Sequence, residues 1–140
     1  MKNKAFATLE VLFASAILAM FLVALFATLL LSSKILSKNK REAQAMALAQ
    51  KFIEQIQTHN YADIGVEGKD PTGTLKDKYS YTYDNILYEL YPTVLWIDDP
   101  EDAVFPTDGN PKDYKQLKVL VRWNYKGQNY ETALSTYIYK

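Results

Sequence analysis

Cysteine is missing from this 140-residue chain and histidine occurs once, as His59. These absences exclude a disulfide framework, a thiolate nucleophile and a His/Cys zinc site. The motifs G-x-S-x-G and H-E-x-x-H and the phosphate-cradling glycine loop are missing too, so neither an enzyme nor a cofactor is expected. His59 follows a helical stretch in a polar context and reads as a solvated helix-end residue. Glycine and proline do not occur between Phe6 and Gln57, and no charged residue occurs between Val11 and Leu31. The first gap removes every strong helix breaker. The second leaves a run that water will not solvate.

That run has only Ser15 and Thr28 as polar interruptions, and its 21 residues make a helix of about 32 Å, close to the ~30 Å of a bilayer's hydrocarbon core. It is too long for the apolar core of a cleaved secretory signal. Lys2 and Lys4 precede it while Lys34, Lys38, Lys40 and Arg41 follow it, so the positive-inside count leans away from a cytoplasmic N-terminus. The four later cations read chiefly as snorkelling at a helix end, with lipid headgroups or acids of a neighbouring subunit as the functional alternative. At the start of the run stands Glu10. A carboxylate inside the apolar part of a spanning helix costs about 2.5–3.5 kcal/mol on insertion scales, which makes it a functional-site candidate in need of a partner.

Without breakers, the helix is expected to run on from residue 6 to residue 57, about 78 Å. At 100° per residue Ala45, Met46, Leu48, Ala49, Phe52, Ile53 and Ile56 share one arc, and Gln44, Gln50, Lys51, Glu54, Gln55 and Gln57 fill the other. That stripe requires a cover. Residues 58–140 are expected to supply it as one small β-rich domain packed on helix residues 43–57. From Tyr61 to Lys140 there are nine Lys/Arg against thirteen Asp/Glu, a balance of about −4, and all eleven Tyr and both Trp lie there. Such a balance speaks against nucleic acid, which needs a basic surface, and the aromatics suit cross-strand pairs.

Gly65, Gly68, Pro71 and Gly73 mark a loop. Tyr79, Tyr81 and Tyr83 alternate with polar residues, and Thr93–Ile97 is a short β-prone run. Leu117, Val119, Val121, Trp123 and Tyr125 alternate most clearly, and Tyr130, Thr132, Leu134, Thr136 and Ile138 answer them after a Gly-containing turn. Residues 116–125 and 129–139 are therefore expected to form an antiparallel hairpin. Between Asp98 and Asp113, three prolines and a glycine indicate a surface loop. Its Asp98, Asp99, Glu101 and Asp102 could offer oxygen ligands to calcium, but their spacing fits no defined loop, and a solvated acidic rim is the better reading. The fold class expected is α+β.

Several of these residues carry a family resemblance. Lys4-Ala5-Phe6-Ala7-Thr8-Leu9-Glu10 resembles the class III prepilin motif, in which a short basic leader ends in Gly or Ala and a Glu follows the new N-terminal Phe. Leu9-Glu10-Val11-Leu12-Phe13-Ala14-Ser15-Ala16-Ile17-Leu18 is similar to the opening of PilV-type minor pilins of type IV pili and GspI-type pseudopilins of type II secretion. Val119-Leu120-Val121-Arg122-Trp123 and Leu134-Ser135-Thr136-Tyr137-Ile138 resemble strands near the C-terminus of the same families. The small Ala5 stands where Gly is usual, and the helix lacks the proline of many major pilins, which suits a minor pilin or pseudopilin better. The resemblance implies a pilin-like layout with residues 1–5 as a leader and 11–31 as the span. A membrane prepilin peptidase would cut between Ala5 and Phe6 and methylate the new amine. Glu10 would pair with that amine among packed helices of other pilins. The protein would be a single-pass inner-membrane subunit, its soluble domain extracytoplasmic, that later joins a pilus or pseudopilus. A signal-anchored binding module, for example for glycans, is the rival from another class.

Overall fold

The computed structural model describes the backbone of residues 2–99 and 112–140, and the side chains of these from Leu9 onward. Helix α1 runs Lys2–Gln57, and four strands follow: β1 (Tyr79–Tyr83), β2 (Ile86–Ile97), β3 (Tyr114–Tyr125) and β4 (Gln128–Ile138). The layout is α+β, as expected. The chain divides into two compact units, one ending at Arg41 and the other Glu42–Lys140.

In the first unit the described side chains are exposed almost throughout, including Leu12, Phe13, Met20 and Val23. Helix α1 is long and apolar enough to cross a membrane. The hydroxyls of Ser15, Thr28 and Ser37 each donate at 2.9 Å to a carbonyl one turn earlier, those of Leu12, Ala24 and Ser33. These polar groups are satisfied within the helix, as an apolar surrounding demands.

The second unit is built on the last turns of α1. Ala45, Ala49, Phe52, Ile53 and Ile56 are buried, and Leu48 packs against the same core. Their spacing puts them on one side of the helix. Ala45 and Ala49 have no exposed surface at all, and side chains that small let the helix axis approach closely. Met46 departs from expectation. It is 46% exposed, because it sits at the border of the arc. Gln44, expected to face water, instead accepts a hydrogen bond at 3.2 Å from the hydroxyl of the fully buried Tyr88. The helix ends without glycine: the amides of Thr58 and His59 bond back to the carbonyls of Gln55 and Ile56, and the Thr58 hydroxyl also donates to Gln55. Tight i→i−3 bonds of this kind satisfy the last carbonyls.

The sheet is an antiparallel meander in the order β1-β2-β3-β4. Two turns hold it. Asp84-Asn85 and Lys126-Gly127 have positive φ at both positions, 51° and 58° in the first and 53° and 79° in the second, the backbone of a two-residue type I′ hairpin. The short run expected at Thr93–Ile97 proves to be the end of a twelve-residue strand beginning at Ile86. Along β2, Ile86, Tyr88, Leu90 and Val94 face the core, and along β3 Leu117, Val119, Val121 and Trp123 do the same. Phe52 meets Tyr79 edge-on at 4.7 Å, and Trp123 lies between Tyr88 and Tyr130 at 5.9 and 5.7 Å.

The segment expected as a loop from Gly65, Gly68, Pro71 and Gly73 contains a second piece of core. Ile64, Val66 and Leu75 are almost fully buried. A short 3-10 turn, Tyr61–Asp63, leads into a fold-back in which the Leu75 amide bonds to Gly65 O at 3.0 Å and the Glu67 amide to Leu75 O at 2.9 Å. Gly65 and Gly73 make it possible. A Cβ at Gly65 would collide with the carbonyls of Pro71 and Thr72, and one at Gly73 with the Asp63 carbonyl and the Gly65 backbone.

Because those contacts are backbone against backbone, Gly65→Ala should destabilise the protein by about 1–3 kcal/mol through overpacking. Urea unfolding followed by tryptophan fluorescence measures this, and an unchanged midpoint would show that the fold-back yields easily.

Candidate functional site

Three places hold the residues to which chemistry can be assigned. The first is the start of α1. Glu10 is exposed there, between the exposed Leu9 and Val11. Phe6 precedes it by four residues on the same helix, which is one turn, about 6 Å of rise. The backbone of Ala5 and Phe6 is helical; their side chains lie outside the described residues.

The second is the outer face of the sheet. Strand register aligns Glu89, Arg122 and Glu131 in one row. The Arg122 Nε donates to Glu131 at 3.2 Å, and its guanidinium lies over the Tyr91 ring at 5.4 Å. Tyr91 donates its hydroxyl to Glu89 at 3.0 Å, and Lys78 pairs with the same carboxylate. The hydrogen bonds from Lys78 and Tyr91 hold the Glu89 carboxyl below its ordinary pKa, and the bond to Glu89 raises that of Lys78. Glu89, Tyr91, Arg122 and Glu131, together with Asn124 and Asn129, border an open cleft of about 800 Å³. Charges of both signs alternate across it, each already paired, so the row fixes strand register more than it stabilises the sheet.

The third, Lys115, is a site that sequence reading missed. It lies on the inner side of β3, 2% exposed, where alternation predicts an apolar residue. Its ammonium donates to the carbonyls of Tyr61 and Ile64 at 2.8 and 2.6 Å and sits 4.6 Å from the Tyr61 ring and 4.9 Å from the Trp96 ring. Two carbonyl dipoles and two aromatic faces thus replace its water. Burial lowers its pKa, with Asp63 pulling the other way and Lys140 adding to the lowering. Burial first, then Asp113, raises that of the Tyr61 hydroxyl. Trp96 completes the lock by donating its indole N–H to Asp70 at 3.0 Å. Residues 61–70 are in this way fastened to the sheet.

Of the four acids weighed as calcium ligands, Glu101 and Asp102 lie outside the described residues. Asp98 and Asp99 close the end of β2: the Asp99 amide donates to Asp113 Oδ2 at 2.8 Å, and the Asp113 amide to Ile97 O at 3.2 Å. Among the described residues no group of three or more His, Cys, Asp or Glu is placed to hold a metal. His59 is exposed.

Lys115→Met should lower stability by about 1–3 kcal/mol at pH 7, because it strands buried carbonyls. The difference from the wild type should then widen as pH rises. Between the depressed pKa of the folded state and the ordinary ~10.5 of the unfolded chain, the unfolded state binds more protons, so folding gains from alkali. Urea midpoints of both proteins from pH 7 to 10.5 measure the difference, and a gap that narrows would contradict the assignment. No family model, curated protein or solved structure matches this chain.

Proposed function

We propose that the chain is a minor pilin or pseudopilin, a non-enzymatic subunit that waits in the membrane and is then drawn into a filament or its tip complex. The observation that carries this reading is the pairing of two features. An uncovered apolar helix stands ahead of a separately packed helix-and-sheet unit, and the one acid of its apolar stretch is placed at its start, a turn after the expected cleavage point. A lipid anchor has no need of that acid, whereas a helix that packs among its own kind does.

The chemistry proposed is charge pairing. Cleavage between Ala5 and Phe6 creates an amine one turn from the Glu10 carboxylate, in its own helix or a neighbour's. In a bundle of apolar helices the effective dielectric is low, and an unpaired charge of either sign is costly. The pair sets the offset at which helices lie together. Secretion pseudopili need the same geometry, so the second reading, a type II secretion subunit, rests on the same residues. The soluble unit supplies the lateral surfaces.

Intact-mass and N-terminal analysis of the protein from cells with an active prepilin peptidase should find a chain beginning at N-methylated Phe6. A mature chain retaining Met1 would end the proposal. Glu10→Leu should enter the membrane and fold its soluble unit normally while its incorporation into filaments falls at least tenfold; undiminished incorporation would remove the role given to Glu10.

A further inference from the structure

The two edges of the sheet are protected unequally. β1 is five residues long and covers only Ile86–Leu90 of β2. Beyond that cover β2 carries Pro92, which lacks an N–H, and Trp96, which is tied to Asp70. Proline and a covering loop are common means of closing a sheet edge. β4, at the other edge, has eleven residues with no Pro, Gly or Lys and a single charge, Glu131. Among the described residues it pairs with β3 alone.

The turn fixes where its free groups point. Tyr125 and Gln128 close the two-residue loop Lys126-Gly127, so Gln128 exchanges hydrogen bonds with β3 and every second residue after it does likewise. The N–H and C=O groups of Asn129, Glu131, Ala133, Ser135 and Tyr137 are thereby turned to the open side, and all five residues are exposed. Among the described residues this ladder has no backbone partner.

We propose that this ladder is the docking edge for β4 of a second copy, the two strands running antiparallel with Ala133 opposite Ala133. Ala133 is the midpoint of Gln128–Ile138, so this register uses the whole strand and closes roughly ten backbone hydrogen bonds about a two-fold axis. Charge selects it as well. Glu131 then faces Ser135 and Asn129 faces Tyr137, whereas centring the pair on Glu131 would oppose two carboxylates. β1, at five residues, is too short to match an eleven-residue partner. The pairing depends on the sheet alone and stands apart from the pilin reading.

The chain's lack of cysteine makes the test clean. In the full-length protein in lipid nanodiscs, Ala133→Cys should be joined into dimers by a short bismaleimide in most molecules. Asn129→Cys, whose two copies would lie about 27 Å apart, should give at least tenfold less, and mixing it with Tyr137→Cys should restore the product. Equal crosslinking at Ala133 and Asn129, or none at Ala133, would overturn the proposal. Charge reversal separates strand pairing from helix association in the bilayer. Ala133→Lys and Ala133→Glu should each lose self-capture of a tagged copy at least tenfold when alone, and recover it when mixed. Capture indifferent to these charges would assign the association to the helix and sink the strand pairing.

Discussion

Everything in the second unit is arranged around the burial of one sheet face by the last four turns of α1. A four-stranded sheet exposes an inner surface too large for a single helix, and the helix covers it only because Ala45 and Ala49 let it lie close. Phe52, Ile53 and Ile56 then reach into the core beside Tyr88, Leu90 and Val119. What the helix leaves uncovered is closed by the fold-back of residues 61–75, whose Ile64, Val66 and Leu75 complete the same cluster. Two covers meet over one sheet, and Lys115 joins the second cover to it.

That buried ammonium is an unusual fastener. Apolar packing alone would hold residues 61–66 in several related positions. Two carbonyls and two rings around one charge admit a single arrangement, since any slip leaves the charge desolvated and unpaired. The Asp70–Trp96 hydrogen bond and the Lys112–Asp70 ion pair, both about the same indole, reinforce this at the surface. The opposite face of the sheet follows another principle. There the half-buried Glu89 and the exposed Arg122 and Glu131 stand in one row across the strands, so register is set by charge order while the energy comes from the core below.

How much of this was legible in the sequence depended on whether the signal was periodic. The helix from residue 6 to 57 and the stripe on its second half were readable because nothing interrupts them, and the β3–β4 hairpin because Val119, Val121 and Trp123 keep strict alternation around a Gly-containing turn. β2 was foreshortened for two physical reasons: Pro92 argues against a strand unless it lies on an unpaired side, and Asp84-Asn85 makes its tight turn without glycine. The core residues of the fold-back carry no period, and a lysine just ahead of the alternating run 116–125 is ordinarily a sign of water, so nothing in the pattern singled out Lys115. Met46 and Gln44 exchanged roles because both sit at the border of the stripe, where a few degrees decide. Glu10 was visible as an anomaly, an acid where apolar residues were due, and it is exposed on the helix.

The hydroxyl bonds inside α1 have a further consequence. Ser15, Thr28 and Ser37 each return their proton to a carbonyl one turn back, so none of them relies on a neighbour. When one apolar surrounding is exchanged for another, lipid tails for protein or the reverse, no such bond must break and none must be remade. Any such exchange would be a change of solvent around a finished object, its cost confined to the few groups, Glu10 among them, that carry charge.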